Sequence, residues 1–238
     1  MTRTASTGGR NETLAATACD LEAEAALLQL SSAALPVGAY SYSQGLETAI
    51  ADERLRTPAD IELWIADVLR LVVGRYEAPV WWRLRAALDR KDNDTFSAWN
   101  DEFLAARETA ELRAETLQMG HSMVELMRGL AMPVDIVIDP WTWPAAHALA
   151  SWTWRIAPRS ALNGYLFGWL ENQVLAGMKA LPYGQLAGQR MLHALRPALA
   201  EVVASASELP DEHLATQAPG HAITSARHES QYSRLFRS

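Results

Sequence analysis

Thr57-Pro58-Ala59-Asp60-Ile61-Glu62-Leu63-Trp64-Ile65-Ala66-Asp67-Val68-Leu69-Arg70-Leu71-Val72 decides the fold class. Thr57 is placed to cap a helix N-terminus. Pro58 fits the first helical position, where its missing N–H has no intrahelical partner, and Asp60 lies near the positive end of the helix dipole. Behind this start Ile61, Trp64, Ile65, Val68, Leu69 and Val72 recur three or four residues apart, the apolar stripe of an amphipathic helix. The same spacing returns along most of the chain, and runs of alternating β-branched residues are nearly absent, so helix is the expected state almost everywhere.

Downstream, Gly74 reads as a helix exit, followed by a second helix through Trp81, Leu84, Arg85 and Leu88 that ends near the polar cluster Asp89 to Asp94. Asp94 or Thr95 is expected to cap the next helix. From Thr109, residues Leu112, Glu115, Met119, Met123, Leu126, Met127 and Leu130 mark a long helix that Pro133 stops. Val134 to Ile138 is strand-like, but it has no pairing partner and reads as extended chain. Then come a short helix from Pro144 to about Ile156, a break at Pro158, and a long apolar helix from Ser160 to Lys179. A turn at Leu181 to Gly184, a helix from Gln185 to Ser205, a connector from Ser207 to Pro219 with one helical turn, and a short helix from Gly220 complete the chain. No unit of 20 to 50 residues repeats, which disfavours a solenoid. The expected architecture is all-α: one compact multi-helix domain of about eight to ten helices over 21–224, a flexible leader over 1–20 and an extended tail over 225–238.

The 238 residues are 49% apolar and 21% charged, enough to bury a core without disulfides or a structural metal. A balance of 21 basic against 28 acidic residues, a formal charge of −7, argues against nucleic acid as the main partner. The one cysteine, Cys19, cannot pair within the chain, and a reducing, cytoplasmic setting is expected. The start lacks the apolar core of a signal peptide, and no stretch approaches the 18 apolar residues of a membrane span. There is no P-loop, dinucleotide fingerprint or Gly-x-Ser-x-Gly elbow. His121, His147, His193, His213, His221 and His228 show none of the helical spacings that converge on a metal. His121 and Glu125, one turn apart, read as a surface hydrogen bond. No cofactor, metal or catalytic group is expected.

Three segments hold more than packing requires. Leu27 to Glu47 joins two helices through a loop shaped by Pro36 and Gly38, in which Ser41 or Ser43 can cap a helix entering at Gln44. Trp169 to Arg190 interrupts an apolar helix with Glu171, Asn172 and Gln173, and its Ala176, Gly177 and Gly188 allow close helix approach. The tail, Ser225 to Ser238, interleaves Tyr232, Leu235 and Phe236 with Arg234 and Arg237, the residue types of binding anchors. Such a tail hides its apolar side chains against a partner or folds back on its own domain.

Together these segments resemble the urease accessory protein F family. The pattern Leu-Pro-x-Gly-x-aromatic-Ser-x-Ser-x-Gly-Leu-Glu stands at Leu35 to Glu47, Gly-Gln-x-x-Gly-Gln-Arg at Gly184 to Arg190, and Arg-His-Glu-x-Gln-Tyr-Ser-Arg-Leu-Phe-Arg-Ser at Arg227 to Ser238. The likeness spans about Leu27 to Ser238, while the leader and Trp141 to Trp154 carry no family motif. The resemblance implies an all-helical, non-enzymatic protein that dimerises and binds the urease accessory D (or H) protein. That complex recruits the GTPase urease accessory protein G and acts on apo-urease during nickel delivery. It points to Tyr232, Arg234, Leu235, Phe236 and Arg237 as the docking element for the D/H partner. It makes Tyr40, Ser41, Tyr42 and Glu47, with Lys179 and the Gly184 to Arg190 turn including Gln185 and Arg190, candidates for the GTPase-facing or dimer surface. The competing expectation is an all-α small-ligand protein or enzyme with a pocket formed by Glu171, Asn172, Gln173 and His121.

Overall fold

In the computed structural model residues 20–238 are described. The expected leader over 1–20, with Cys19, lies outside them except for Asp20, which begins helix α1 (20–30). The remaining α-helices are α2 (Leu46–Ala51), α3 (Pro58–Val68), α4 (Ala78–Arg90), α5 (Asn93–Ala105), α6 (Ala110–Gly129), α7 (Trp143–Thr153), α8 (Pro158–Ala180), α9 (Gln185–Ser205) and α10 (Pro219–His228). Among the described residues there is no strand, and 132–138 form an irregular connection. The fold is all-α.

The capping box at Thr57 is formed: the Asp60 N–H donates to Thr57 Oγ1 at 3.2 Å, and the Thr57 N–H donates to Asp60 Oδ2 at 2.9 Å. Ile61, Ile65, Val68, Leu69 and Val72 are buried, as the stripe requires, with Trp64 half-buried at its edge. The expected exit at Gly74 is absent. Leu69–Glu77 continues α3 as a π-helical segment that passes directly into α4, so one helical rod runs from Pro58 to Arg90. Gly74 serves closeness instead, because a Cβ there would lie 2.9 Å from both the Leu69 main-chain oxygen and Val202 Cγ2 of α9. The cap of α5 also differs from expectation. Asp92, two residues ahead of Asp94, accepts the Thr95 N–H at 3.0 Å, and Lys91 closes α4 in the left-handed region.

Helix α8 is the axis. Ala161, Leu162, Tyr165, Leu166, Leu170 and Val174 are buried around it, and it packs on α2, α3, α4, α7 and α9. α6 lies against α7, and α4 bridges α5 and α7. The α5–α7 connection is tied by buried Asn100, whose Nδ2 donates to the Pro140 carbonyl at 3.0 Å and whose Oδ1 accepts the Thr142 N–H at 3.0 Å. The connector carries its one expected helical turn at Asp211–His213, pinned by Arg83, which donates to Asp211 at 2.7 Å.

In the first loop, neither serine is the helix cap at Gln44. α2 begins at Leu46 behind Gly45, whose φ of 83° suits glycine, and a Cβ there would meet the Ser225 main-chain nitrogen of α10 at 3.1 Å. Ser43 Oγ does reach the Glu47 N–H at 3.4 Å, but its own hydroxyl is committed to the far end of the chain.

Candidate functional site

The first and third sequence segments form one site. Beyond α10 the chain turns back over α2, and residues 235–238 lie along the loop at 41–47. The Arg237 N–H donates to the Ser41 carbonyl at 2.8 Å. The main-chain oxygen of Ser238 accepts the N–H groups of Ser43 and Gln44 at 2.8 and 3.1 Å and the Ser43 hydroxyl at 2.6 Å.

Glu47, in the first turn of α2 and only 6% exposed, is the centre of this contact. Its Oε1 accepts the Leu235 N–H at 2.7 Å and its Oε2 the Phe236 N–H at 3.1 Å. The ring of His228, at the end of α10 and fully buried, bridges two carboxylates, with Nε2 3.1 Å from Glu47 Oε2 and Nδ1 2.7 Å from Glu111 Oε2. Arg234 Nη1 donates to the other oxygen of Glu111 at 2.8 Å. Thr48 adds a hydroxyl contact to Gln231 at 2.9 Å.

A second carboxylate holds the end of the tail. Glu115, on α6, accepts the Gln44 amide at 2.7 Å and the Ser238 hydroxyl at 2.8 Å. Burial pushes its carboxyl up to about 7, outweighing the two hydrogen bonds that favour the ionised form. Gln44 is itself held by Trp169 Nε1 at 2.8 Å, and Asn172 donates to the Tyr42 carbonyl at 2.9 Å, so α8 supports the loop from below. Deeper in, Glu77 accepts from the Tyr165 hydroxyl and from Arg107 Nη1, the latter at 3.3 Å. A cavity of about 100 Å³ opens among Gln44, Glu77, Arg107, Glu115 and Tyr165.

The outer face of the site is apolar and cationic. Tyr40 is 63% exposed, Leu235 67%, and Tyr232 fully, whereas Phe236 is buried to 6% against the domain. Lys179, in the last turn of α8, places Nζ 5.8 Å from the Tyr40 ring centre and 5.5 Å from that of Phe236, joining loop and tail by cation–π contacts. Arg234 and Arg237 lie exposed along the same tail.

Of the residues singled out in the sequence, the structure gathers Tyr40, Ser41, Tyr42, Glu47, Lys179, Arg234, Leu235, Phe236 and Arg237 here. Tyr42 and Glu47 are buried and face the molecule's own tail. Burial and the nearby Glu115 charge raise the Tyr42 hydroxyl above its usual range. Gln185 and Arg190 are exposed on the first turns of α9 and touch none of the tail contacts. The tail is shorter than expected as a free segment, since Ser225 to His228 belong to α10.

The pocket expected from Glu171, Asn172, Gln173 and His121 does not assemble. Consecutive helix positions point about 100° apart, and only Glu171 and Asn172 reach the cavity. Gln173 is buried elsewhere, and His121 is exposed on α6, where Glu125 accepts instead from Arg128 at 2.6 Å. Among the described residues no three His, Cys, Asp or Glu side chains come together as metal ligands, and no helix is long and apolar enough to cross a membrane. Glu111, Glu115, Gln44, Trp169 and His228 were not singled out as site residues. Gln44, Trp169 and His228 stand within the three segments, Glu115 is a carboxylate on the apolar stripe of α6, and Glu111 carries no signal of its own.

The family model described as UreF matches residues 55–196. The urease accessory protein UreF of Azoarcus sp. (strain BH72) is 48% identical over 220 residues, covering 89% of this chain and 94% of the relative. That of Janthinobacterium sp. (strain Marseille) is 46% identical, covering 89% and 96%. A bifunctional urease accessory protein UreEF of Bordetella bronchiseptica is 46% identical across 90% of this chain, which corresponds to 52% of that longer protein.

Proposed function

The chain belongs to the UreF family of urease accessory proteins, proteins of urease maturation rather than enzymes, and from that premise we propose that its C-terminal tail docks the urease accessory D/H protein. The docked pair then recruits the accessory GTPase G and supports nickel insertion into apo-urease, in the cytoplasm and with this chain as a homodimer. Lys179, Gln185 and Arg190 are assigned to the GTPase-facing or dimer side. The fusion of an E-type accessory protein to an F-type one in Bordetella bronchiseptica supports a role within such an assembly.

The observation that carries this reading is the exposure of Leu235 and Tyr232 on a tail whose neighbours are hydrogen-bonded to the domain. An exposed apolar pair on a fixed backbone, rimmed by Arg234 and Arg237, has the make-up of a hot spot: an apolar centre and a cationic edge. A chain that positions such a patch can act in metal-centre assembly while partners supply nucleotide chemistry and nickel ligands. The test is urease activation in cells carrying the other accessory genes, alongside a pulldown of the D/H protein. A Tyr232→Ala/Leu235→Ala chain loses both. Full activation and intact pulldown by that variant would remove the tail from the docking surface.

A further inference from the structure

We propose that Glu47 is a positioning residue for partner binding: buried beneath the tail, its carboxylate sets the backbone of Leu235 and Phe236 so that Leu235 is presented outward. This rests on the docking reading given above and assigns Glu47 a part in it that contact with a partner cannot supply, because its side chain is 6% exposed.

The geometry is one-sided in a telling way. Successive main-chain N–H groups at 235 and 236 both donate to this one carboxylate, at 2.7 and 3.1 Å, and among the described residues no other acceptor bonds either of them. Two adjacent amides pointing at one group fix the orientation of the peptide plane between them. The Leu235 side chain is thereby directed to solvent while Phe236 enters the domain. His228 holds the carboxylate from its other side, and Glu111 holds His228 and Arg234 in turn. Glu47 and Glu111 therefore face the two ring nitrogens of His228, and the Arg234 guanidinium closes on the free oxygen of Glu111. The arrangement spans α2, α6, α10 and the tail, so the tail's backbone is referenced to the core rather than to itself.

A tail so held meets a partner already in its binding conformation. Releasing it leaves the contacts of the final complex unchanged but lowers the fraction of molecules competent to form them. Glu47→Gln keeps the shape and turns one acceptor oxygen into an NH2 group that faces N–H donors.

The experiment uses the full chain with its D/H partner immobilised, and compares Glu47→Gln, Leu235→Ala and Glu111→Gln by association and dissociation rates and by amide exchange of residues 235 and 236. For Glu47→Gln the two amides exchange about tenfold faster, the association rate falls by a similar factor, and the dissociation rate stays within about twofold. Leu235→Ala instead speeds dissociation and leaves the Phe236 amide protected. Glu111→Gln leaves Glu47 in place and gives a smaller loss in the same direction as Glu47→Gln; it decides the matter if Glu47→Gln does not fold.

Unchanged exchange and association in the glutamate variants, with Leu235→Ala still weakened, would overturn the positioning role and leave docking standing. Faster dissociation alone in Glu47→Gln would overturn it too, by making Glu47 a contact. Undiminished partner binding by Leu235→Ala overturns the docking reading itself, while amide exchange in Glu47→Gln still reports whether the carboxylate anchors the tail.

Discussion

Ser43 and Ser238, 195 positions apart, are joined twice, since the N–H and the hydroxyl of Ser43 both donate to the main-chain oxygen of Ser238. Only the hydroxyl bond can be removed by a side-chain substitution. Ser43→Ala therefore costs about 1 kcal/mol locally and leaves the backbone bonds from Ser43 and Gln44. The expected result is faster proteolytic clipping of residues 232–238 with little change in the thermal midpoint. A midpoint drop as large as that of a core substitution would mean that the tail unfolds only with the whole domain.

Glu115 and His147 set opposing pH slopes. Burial raises Glu115 from 4.5 to about 7, so its contribution to stability is complete below pH 4.5 and is lost as pH rises through 7. Burial lowers His147 from 6.5 to about 3, so its contribution is complete above pH 6.5 and is lost as pH falls towards 3. Urea unfolding of Glu115→Gln at pH 5 and pH 8 separates the two. Relative to the parent, the variant gains on the order of 2 kcal/mol between those pH values. A constant difference would show that Glu115 is already ionised in the folded protein at pH 5.

Glu77 accepts from both Arg107 and Tyr165 in the interior, so Glu77→Ala strands a buried guanidinium and a buried hydroxyl together. The expected loss is about 3–5 kcal/mol in denaturant unfolding. The double variant Glu77→Ala/Arg107→Met regains part of it, since an apolar replacement removes the uncompensated charge. No recovery in the double variant would place the cost in the Tyr165 hydroxyl.

Gly74→Ala introduces a Cβ 2.9 Å from a main-chain oxygen and from Val202. The backbone cannot yield as a side chain does, and a destabilisation of about 1–3 kcal/mol is expected from thermal unfolding. If alanine is neutral or stabilising, its helix propensity outweighs the clash.

The helices were legible because apolar spacing and capping chemistry are local. Thr57 and its Asp60 partner lie three residues apart, and the span Gln185–Ser205 was marked by a turn on one side and a polar connector on the other. Gly74 misled because glycine as helix exit and glycine as close contact look alike until α9 is placed beside it. Several residues between Asp89 and Thr95 have capping side chains, and only the backbone turn at Lys91 selects Asp92 among them. At the candidate site, the residue types in the loop and the tail were visible, but their meeting was not. Glu47 is 181 positions from its His228 contact, and no periodicity encodes such a distance. A carboxylate on an apolar stripe, as at Glu115, marks a partner waiting elsewhere in the chain without naming it.

The π-helical segment Leu69–Glu77 works as a phase shifter. Its wider turns advance each residue through a smaller angle than α-turns do, so α3, packed on α8 and α9, is followed by an α4 that keeps contact with both and also meets α5 and α7. Losing a single residue here would restore ordinary winding and rotate everything after it, including Glu77, Trp81 and Arg85, off the partners they bond. Length within these nine residues is thus held as tightly as identity, and a one-residue deletion would act at the far end of the rod rather than where it is made.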